Sequence, residues 1–406
     1  MLKGVYVFKE NGVEIGRSEN IITDRGSEII TAYLSGANKA WAGAVAVGAG
    51  ATAAASTDSR LNFETFRSAI TSLTPQFAYE ATPVTGNNRV IAKFKLDSSV
   101  ACKIYEAGVY PSEFNLAAGV GQGGVISGMD STEALSTWTT SAGPSTAVNV
   151  TSFSTLNNRI GIDSAALTTT SGASYKNTYA VTGLSLDLSA YSGNDVFTFA
   201  GIKDTGTVTS FKVRFVTDTN NYFEYAIPTI TDVFGAAYNV KSYAKSLWTP
   251  GTVSPNTSTS SVTIGTGLQS FTVSSNAYST GQRIRAYYTT TPTNYVEGVV
   301  DATSTSTVVV INVDTIGGSG TYTAWTLSGA TQNPDWSNIT AVHFLVESSA
   351  ATATVYLDGL RIDDVDTVNP DFALVSRSVL ASPITKSIGT ELEVEYYVVF
   401  NRDSSI

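Results

Sequence analysis

Two short apolar runs late in the chain constrain its fold more than any other stretch. Between Asp335 and Glu347, the residues Ile339, Val342, Phe344 and Val346 recur with approximate alternation. Between Thr354 and Ile362, Val355, Leu357, Leu360 and Ile362 do the same. Successive side chains of a strand point to opposite faces, so a near-two-residue apolar period in β-branched and aromatic residues marks a half-buried strand. The two runs are expected to be strands of an antiparallel sheet. Similar short runs with polar turns recur along the chain, which makes the expected fold class mainly β.

Composition agrees with that class. Charged residues make up 14% of the 406 residues, against about 25% in ordinary soluble proteins. Hydrophobic residues at 42% suffice for packed cores and argue against disorder. The length allows about two to four domains. The net charge is −10, and no cluster of Lys and Arg is present to replace counterions on a phosphate backbone. Nucleic acid is therefore excluded as a partner. The lone Cys102 excludes an internal disulfide and a cysteine zinc site, and its flanks read as a strand with a small buried hydrophobe. The first residues lack an apolar run before a small-residue cleavage site, so a signal peptide is not expected there. No segment has the ~18 consecutive apolar residues of a membrane helix, so no membrane insertion is expected.

The pattern divides the chain into nested parts. Residues 1–125 begin with a hairpin around Asn11-Gly12. A short helix follows, capped by Thr23 or Asp24, with an apolar face of Glu28, Ile29, Ile30, Tyr33 and Leu34 and a stop at Gly36. Further strands are expected at Gln76–Glu80, Arg89–Leu96 and Lys103–Tyr110. Residues 130–255 carry regularly spaced short strands, among them Phe211–Val216 and Tyr222–Tyr225 around the turn Asp218–Asn221. Residues 256–328 open with a Thr/Ser-rich linker and hold about five or six strands. The sandwich pattern resumes over 329–365, which makes 256–328 an insert. Residues 366–406 hold two strong strands, and two strands alone are only marginally stable. They are expected to complete the sheet of the first part. The organisation is thus a base domain (1–125 and 366–406), a sandwich within it (130–255 and 329–365), and a small β domain within that (256–328). Gly119–Gly124 looks like a phosphate loop, but it lacks the Lys-Ser/Thr pair and the strand-to-helix context, and is read as a linker.

Three segments resemble known families. Asp187–Tyr191, Asn221–Tyr225, Asp335–Asn338 and Tyr356–Ile362 resemble jelly-roll carbohydrate-binding modules. Val262–Gly267, Gly281–Arg285, Asn294–Gly298 and Gly317–Tyr322 look like a small β module of tailed-phage structural proteins. Asp24–Ser27 and Ser376–Phe400 are similar to attachment domains of phage tail or head appendages. Together these resemblances imply a virion structural protein, fixed by its base to portal, tail or capsid proteins and displaying a jelly roll. A homo-oligomer on a symmetry axis and a host surface polysaccharide as ligand are the partners implied. The rival readings are a head decoration protein that binds no glycan, and the non-catalytic binding part of a polysaccharide-degrading enzyme.

Sugar binding needs exposed rings plus planar polar groups. The candidate rings are Trp138, Tyr222, Tyr225, Trp248 and Trp336, with Asp218, Asn220 and Asn221 as polar partners. The alternative is that the rings fill the sandwich core. The jelly-roll resemblance also implies a structural calcium at Asp358, with Asp130 or Glu133; the alternative is an Asp358 turned to solvent beside Gly359. The one histidine, His343, is read as lying on the outer sheet face or as a satisfied core residue. It makes a triad or a histidine metal site unexpected. No carboxylate pair is marked out for glycoside hydrolysis, and no enzyme activity is expected.

Overall fold

A computed structural model describes residues 2–37, 40–76, 88–111, 124–131, 138–141, 153–168, 175–218, 221–251, 255–328, 333–348, 353–365 and 373–400. The chain is mainly β, with one α-helix among the described residues. The first segment contains β1 (Leu2–Glu10), β2 (Val13–Glu19), β3 (Ile21–Ile22), α1 (Asp24–Leu34), β4 (Ala44–Gly48), β5 (Glu64–Gln76), β6 (Asn88–Leu96) and β7 (Cys102–Tyr110). Next come β8 (Val125–Ser127), β9 (Trp138–Ser141), β10 (Phe153–Ser154), β11 (Ser164–Thr168), β12 (Tyr175–Leu186) and β13 (Val196–Thr205). They are followed by β14 (Val208–Asp218), β15 (Asn221–Ala226), β16 (Asn239–Ala244) and β17 (Thr249–Pro250). The insert holds β18 (Asn256–Ser258), β19 (Val262–Thr263), β20 (Gly267–Thr272), β21 (Arg283–Tyr288), β22 (Tyr295–Val300), β23 (Val308–Gly317), β24 (Thr321–Tyr322) and β25 (Trp325–Leu327). The last strands are β26 (Ile339–Ser348), β27 (Thr354–Asp363), β28 (Ser376–Lys386) and β29 (Leu392–Phe400).

Two compact units result: Met1–Lys212 with Ala226–Leu247 and Phe344–Ile406, and Val213–Tyr225 with Trp248–His343. Strands β14 and β26 each run from one unit into the other.

In the first unit, nine strands form one sheet in the order β2-β1-β29-β6-β5-β4-β7-β28-β3. Ser378 Oγ meets Ser18 Oγ at 2.6 Å and donates to the Glu19 carbonyl at 2.8 Å, so the β2 end approaches β28 and the sheet nearly closes into a barrel. Its interior is apolar, with Tyr6, Phe8, Val45, Val47, Phe94, Ile104, Tyr396 and the helical Ile29 and Ile30. The hairpin turn has φ of 51° at Asn11 and 79° at Gly12, the left-handed pair that a two-residue type I′ turn requires. Thr23 caps α1 by accepting from Gly26 N at 2.8 Å. A Cβ at Gly26 would lie 1.9 Å from the Val375 carbonyl oxygen, so that close approach of helix and chain demands glycine.

Buried charge is built into this sheet. The Glu106 carboxylate, fully buried, accepts from the backbone N–H of Gly50, Asn62 and Phe63 at 2.9–3.0 Å and from Arg377. Arg377 also reaches Asp58 at 2.8 Å. Charges survive such burial only when paired and hydrogen-bonded, and here both conditions hold.

Two further sheets have the orders β10-β11-β27-β13-β16, with β8 beside β27, and β17-β15-β14-β26-β12-β9. Phe199 of the first meets Phe211 of the second edge-on at 6.3 Å, and Phe211 stacks along its own sheet with Phe344 at 6.4 Å. The two late strands β26 and β27 therefore lie in different sheets. They are consecutive in sequence but not paired with each other: β27 pairs with β11 and β13, whereas β26 lies between β14 and β12. Likewise β28 and β29 both join the nine-stranded sheet without touching as neighbours. Residues 77–80 of the strand expected at Gln76–Glu80 lie outside the described residues, and β5 ends at Gln76.

The insert forms a sheet of order β18-β25-β21-β22-β23-β20 and a two-stranded ribbon β19-β24. Trp325 fills its core against Phe271 at 5.5 Å, and the indole N–H donates to the Tyr322 carbonyl at 2.9 Å.

Candidate functional site

Strands β14 and β15 sort their side chains by alternation. Val213, Phe215 and Phe223 turn inward, while Arg214, Tyr222 and Glu224 are half-exposed. Arg214 Nε donates to Glu224 Oε2 at 2.6 Å, and its guanidinium lies 4.3 Å over the Tyr222 ring. His343 of β26 is close enough to feel the Arg214 charge. Burial first, and that charge second, lower its pKa and favour the neutral imidazole. The result is a face with a guanidinium, a carboxylate, a phenol and an imidazole, all groups able to bind hydroxyls.

Three of the other predicted rings, Tyr225, Trp248 and Trp336, join one ring cluster with Phe215 and Phe223. Tyr225 lies 5.0 Å from Trp248, Trp248 5.7 Å from Phe215, and Phe215 5.5 Å from Trp336. Trp336 stacks on Phe223 at 3.9 Å with ring planes only 6° apart. Trp248 is 3% exposed and donates its indole N–H to the Val213 carbonyl, so it is a core ring. Trp336 and Tyr225 are half-buried.

The turn residues have structural partners. Asp218 accepts from the Asn221 backbone N at 3.0 Å and from its Nδ2 at 2.9 Å. Asn221, buried, also donates to Ser279 Oγ at 2.9 Å and accepts from Asn333 N at 3.0 Å. Its amide thus ties three segments together. Asn220 and Glu133, and the side chain of Trp138, lie outside the described residues.

Sequence reasoning does not single out Arg214 and Glu224, and it reads His343 only as an outer-face or satisfied core residue, not as part of a binding site. Alternation about Phe211, Val213 and Phe215 puts Arg214 on the polar face. What it leaves open is the hairpin register. A slip of one residue would set Arg214 opposite an inward ring instead of Glu224.

A second constellation surrounds Asp358. Val355 and Leu357 share one parity and Leu360 and Ile362 the other, and the phase change falls at Asp358. There β27 bulges: Gly359 faces Ala200 and Leu357 faces Gly201, leaving Asp358 outside the ladder. The carboxyl is fully buried, so it is not turned to solvent. Oδ2 accepts from Arg159 N at 2.7 Å, Ile160 N at 3.1 Å and the Tyr238 hydroxyl. Oδ1 has no hydrogen-bond partner among the described residues. Burial raises this carboxyl well above the usual carboxylate range, against the pull of those donors. The Arg159 guanidinium sits between two rings, 3.9 Å from Tyr105 and 4.1 Å from Tyr238. Asp130 is buried beside Gly161, where an added Cβ would lie 1.8 Å from its Oδ2. Among the described residues, no three His, Cys, Asp or Glu side chains are grouped to hold a metal ion. Asp358 is surrounded by N–H and O–H donors rather than by the oxygens calcium requires.

No family model matches the chain, and no curated protein matches it. Among solved structures, one described as "Structure of infectious bursal disease virus Gx strain" aligns with 99% of this chain and 81% of that chain. The identity is 11% and the TM-score 0.09. A score that low carries no argument about fold or function.

Proposed function

We propose that this protein is a non-enzymatic structural component of a tailed-bacteriophage particle, with the near-barrel as its attachment module and the sandwich as its ligand-facing module. The observation that supports this reading is the pairing of β1 with β29 from Leu2↔Phe400 to Glu10↔Leu392. Strands β1 and β29 are neighbours within one nearly closed sheet, and strands β8–β27 are carried between β7 and β28 of that sheet. A closed module bearing others in a loop is suited to fixing one end while another binds. An antibody against the full chain should label purified particles from the source host's phage lysate. Absence of the protein from gradient-purified particles overturns the proposal.

The ligand of the sandwich face is a host-surface glycan, bound through Arg214, Glu224 and Tyr222. A glycan array probed with the full chain should show binding that Arg214→Ala abolishes. The burial of Trp248 and the stacking of Phe223 on Trp336 favour a second reading, a decoration protein that binds no sugar. A blank array with positive particle labelling supports that one.

A further inference from the structure

We propose that the outer face of the insert sheet is a second carbohydrate site, which stacks an uncharged sugar residue on Tyr287 and binds its hydroxyls through Arg285 and Glu297. Alternation sets this face. Ile284, Ala286, Val296 and Val300 are buried in the insert core, so Arg283, Arg285 and Tyr287 of β21, with Tyr295, Glu297 and Val299 of β22, point the other way. The register then places Arg285 opposite Glu297 and Tyr287 opposite Tyr295. Directly opposed side chains on one face have Cβ atoms about 4.5–5.5 Å apart, so rings and planar polar groups stand side by side. On the far side of Tyr295, β23 presents Gly317. A Cβ there would lie 2.3 Å from the Tyr295 ring, so the glycine is what lets that ring lie across the neighbouring strand.

The polar groups are fixed and the second ring is uncommitted. Arg285 lies 4.0 Å over the Tyr295 ring, and its Nε donates to Glu297 Oε2 at 2.7 Å. Arg283 Nε donates to the other carboxylate oxygen at 2.9 Å. Guanidinium and carboxylate are thus held in one geometry before a ligand arrives, which lowers the ordering cost of binding. Arg285 Nη1 donates to no group among the described residues, and half-exposed Tyr287 has no hydrogen bond or ring contact among them. In the sandwich cluster, by contrast, Tyr225, Trp248 and Trp336 each pack on another ring. Arg283 and Arg285 are balanced by Glu297 and Asp314, so the face carries no net charge to select an ionic ligand. A sugar ring offers an apolar face to the phenol, and hydroxyls that donate to Glu297 and accept from Arg285.

The test is an array of neutral, carboxylated and sulfated oligosaccharides probed with the full chain and with Tyr287→Ala, Tyr287→Phe, Arg285→Gln and Arg214→Ala. Spots lost in Arg214→Ala belong to the sandwich face. A further set of neutral spots should survive Arg214→Ala, weaken about tenfold in Tyr287→Ala and persist in Tyr287→Phe, which keeps the ring. Arg285→Gln should weaken the same set, so the result does not hang on the folding of one variant. Neutral spots unchanged in both Tyr287→Ala and Arg285→Gln overturn the proposal. So do spots confined to carboxylated or sulfated sugars, and so does a blank array. Spots that vanish entirely in Arg214→Ala overturn it as well but leave the sandwich-face reading standing.

Discussion

The near-barrel and the insert each hold a carboxylate between two cations, and the two clasps differ in burial. In the barrel, Glu395 of β29 takes Lys9 at 2.6 Å and Lys93 at 2.8 Å, and its side chain is 3% exposed. In the insert, Glu297 of β22 takes Arg283 at 2.9 Å and Arg285 at 2.6 Å, and its side chain is 18% exposed. Arg283 also pairs with Asp314 on the surface. The pattern of one anion between two cations is shared, but its energetic meaning is not. Exposed pairs are screened and contribute little. A buried group costs much when its partner is removed, because the remaining charge is left without water. The barrel's charges should therefore resist substitution far less well than the insert's.

The largest expected effect tests that contrast directly. Glu106→Ala removes the acceptor of three backbone N–H groups and the partner of Arg377. It should destabilise the barrel by roughly 3–5 kcal/mol, read by denaturant unfolding with hydrogen exchange in β4 and β7. Glu297→Ala in the insert should cost only about 0–1 kcal/mol. Equal losses would break the comparison.

Acidification gives the next effect. Burial opposes the charge of Glu395, but hydrogen bonds from Lys9, Lys93 and Tyr397 outweigh it and hold the carboxyl at about 2. An unfolded glutamate titrates near ~4.3. A group depressed on folding contributes its stability above the unfolded value and loses it as pH falls toward the folded one. Barrel stability should thus be flat on this account above about pH 5 and decline from there toward pH 2. Glu395→Gln should flatten that decline. An unchanged slope would show that Glu395 is not its source.

The smallest effect is expected from Arg283→Ala. The Arg283 clasp is exposed, and hydrogen bonds from Arg283 hold Asp314 at about 2. The variant should shift the thermal midpoint of the insert barely or not at all. Any shift should vanish at ~1 M salt, where the screening length is about 3 Å. A large, salt-insensitive loss would place this pair with the buried ones.

The mainly β class was legible because alternation is local. Phe211, Val213 and Phe215 announce β14 by themselves, as Asn11-Gly12 announces the first turn and Thr23 the helix start. Strand β5 was not legible, since Glu64–Gln76 mixes polar and apolar residues without a clean period. Its place in the sheet comes from its neighbours β4 and β6. At the candidate face, Tyr222 was visible as a ring beside a turn, but its partners Arg214 and Glu224 depended on the hairpin register. Trp248 and Asn221 looked equally suited to sugar, and only packing and hydrogen bonds show them committed to the core and to the turn.

The late strands mark the same boundary. Sequence alone determined that Ile339–Val346 and Val355–Ile362 are strands and that their alternating apolar residues are buried, because side-chain direction follows from the two-residue period. The phase change at Asp358 was also written there; the burial of Asp358, Arg361 and Asp363 was not. Only the tertiary structure decided that β26 and β27 enter different sheets, and that the bulged Asp358 comes to rest beside Arg159 and Tyr238. Strand partners are chosen by which apolar faces meet across the core, and that choice involves residues distant along the chain.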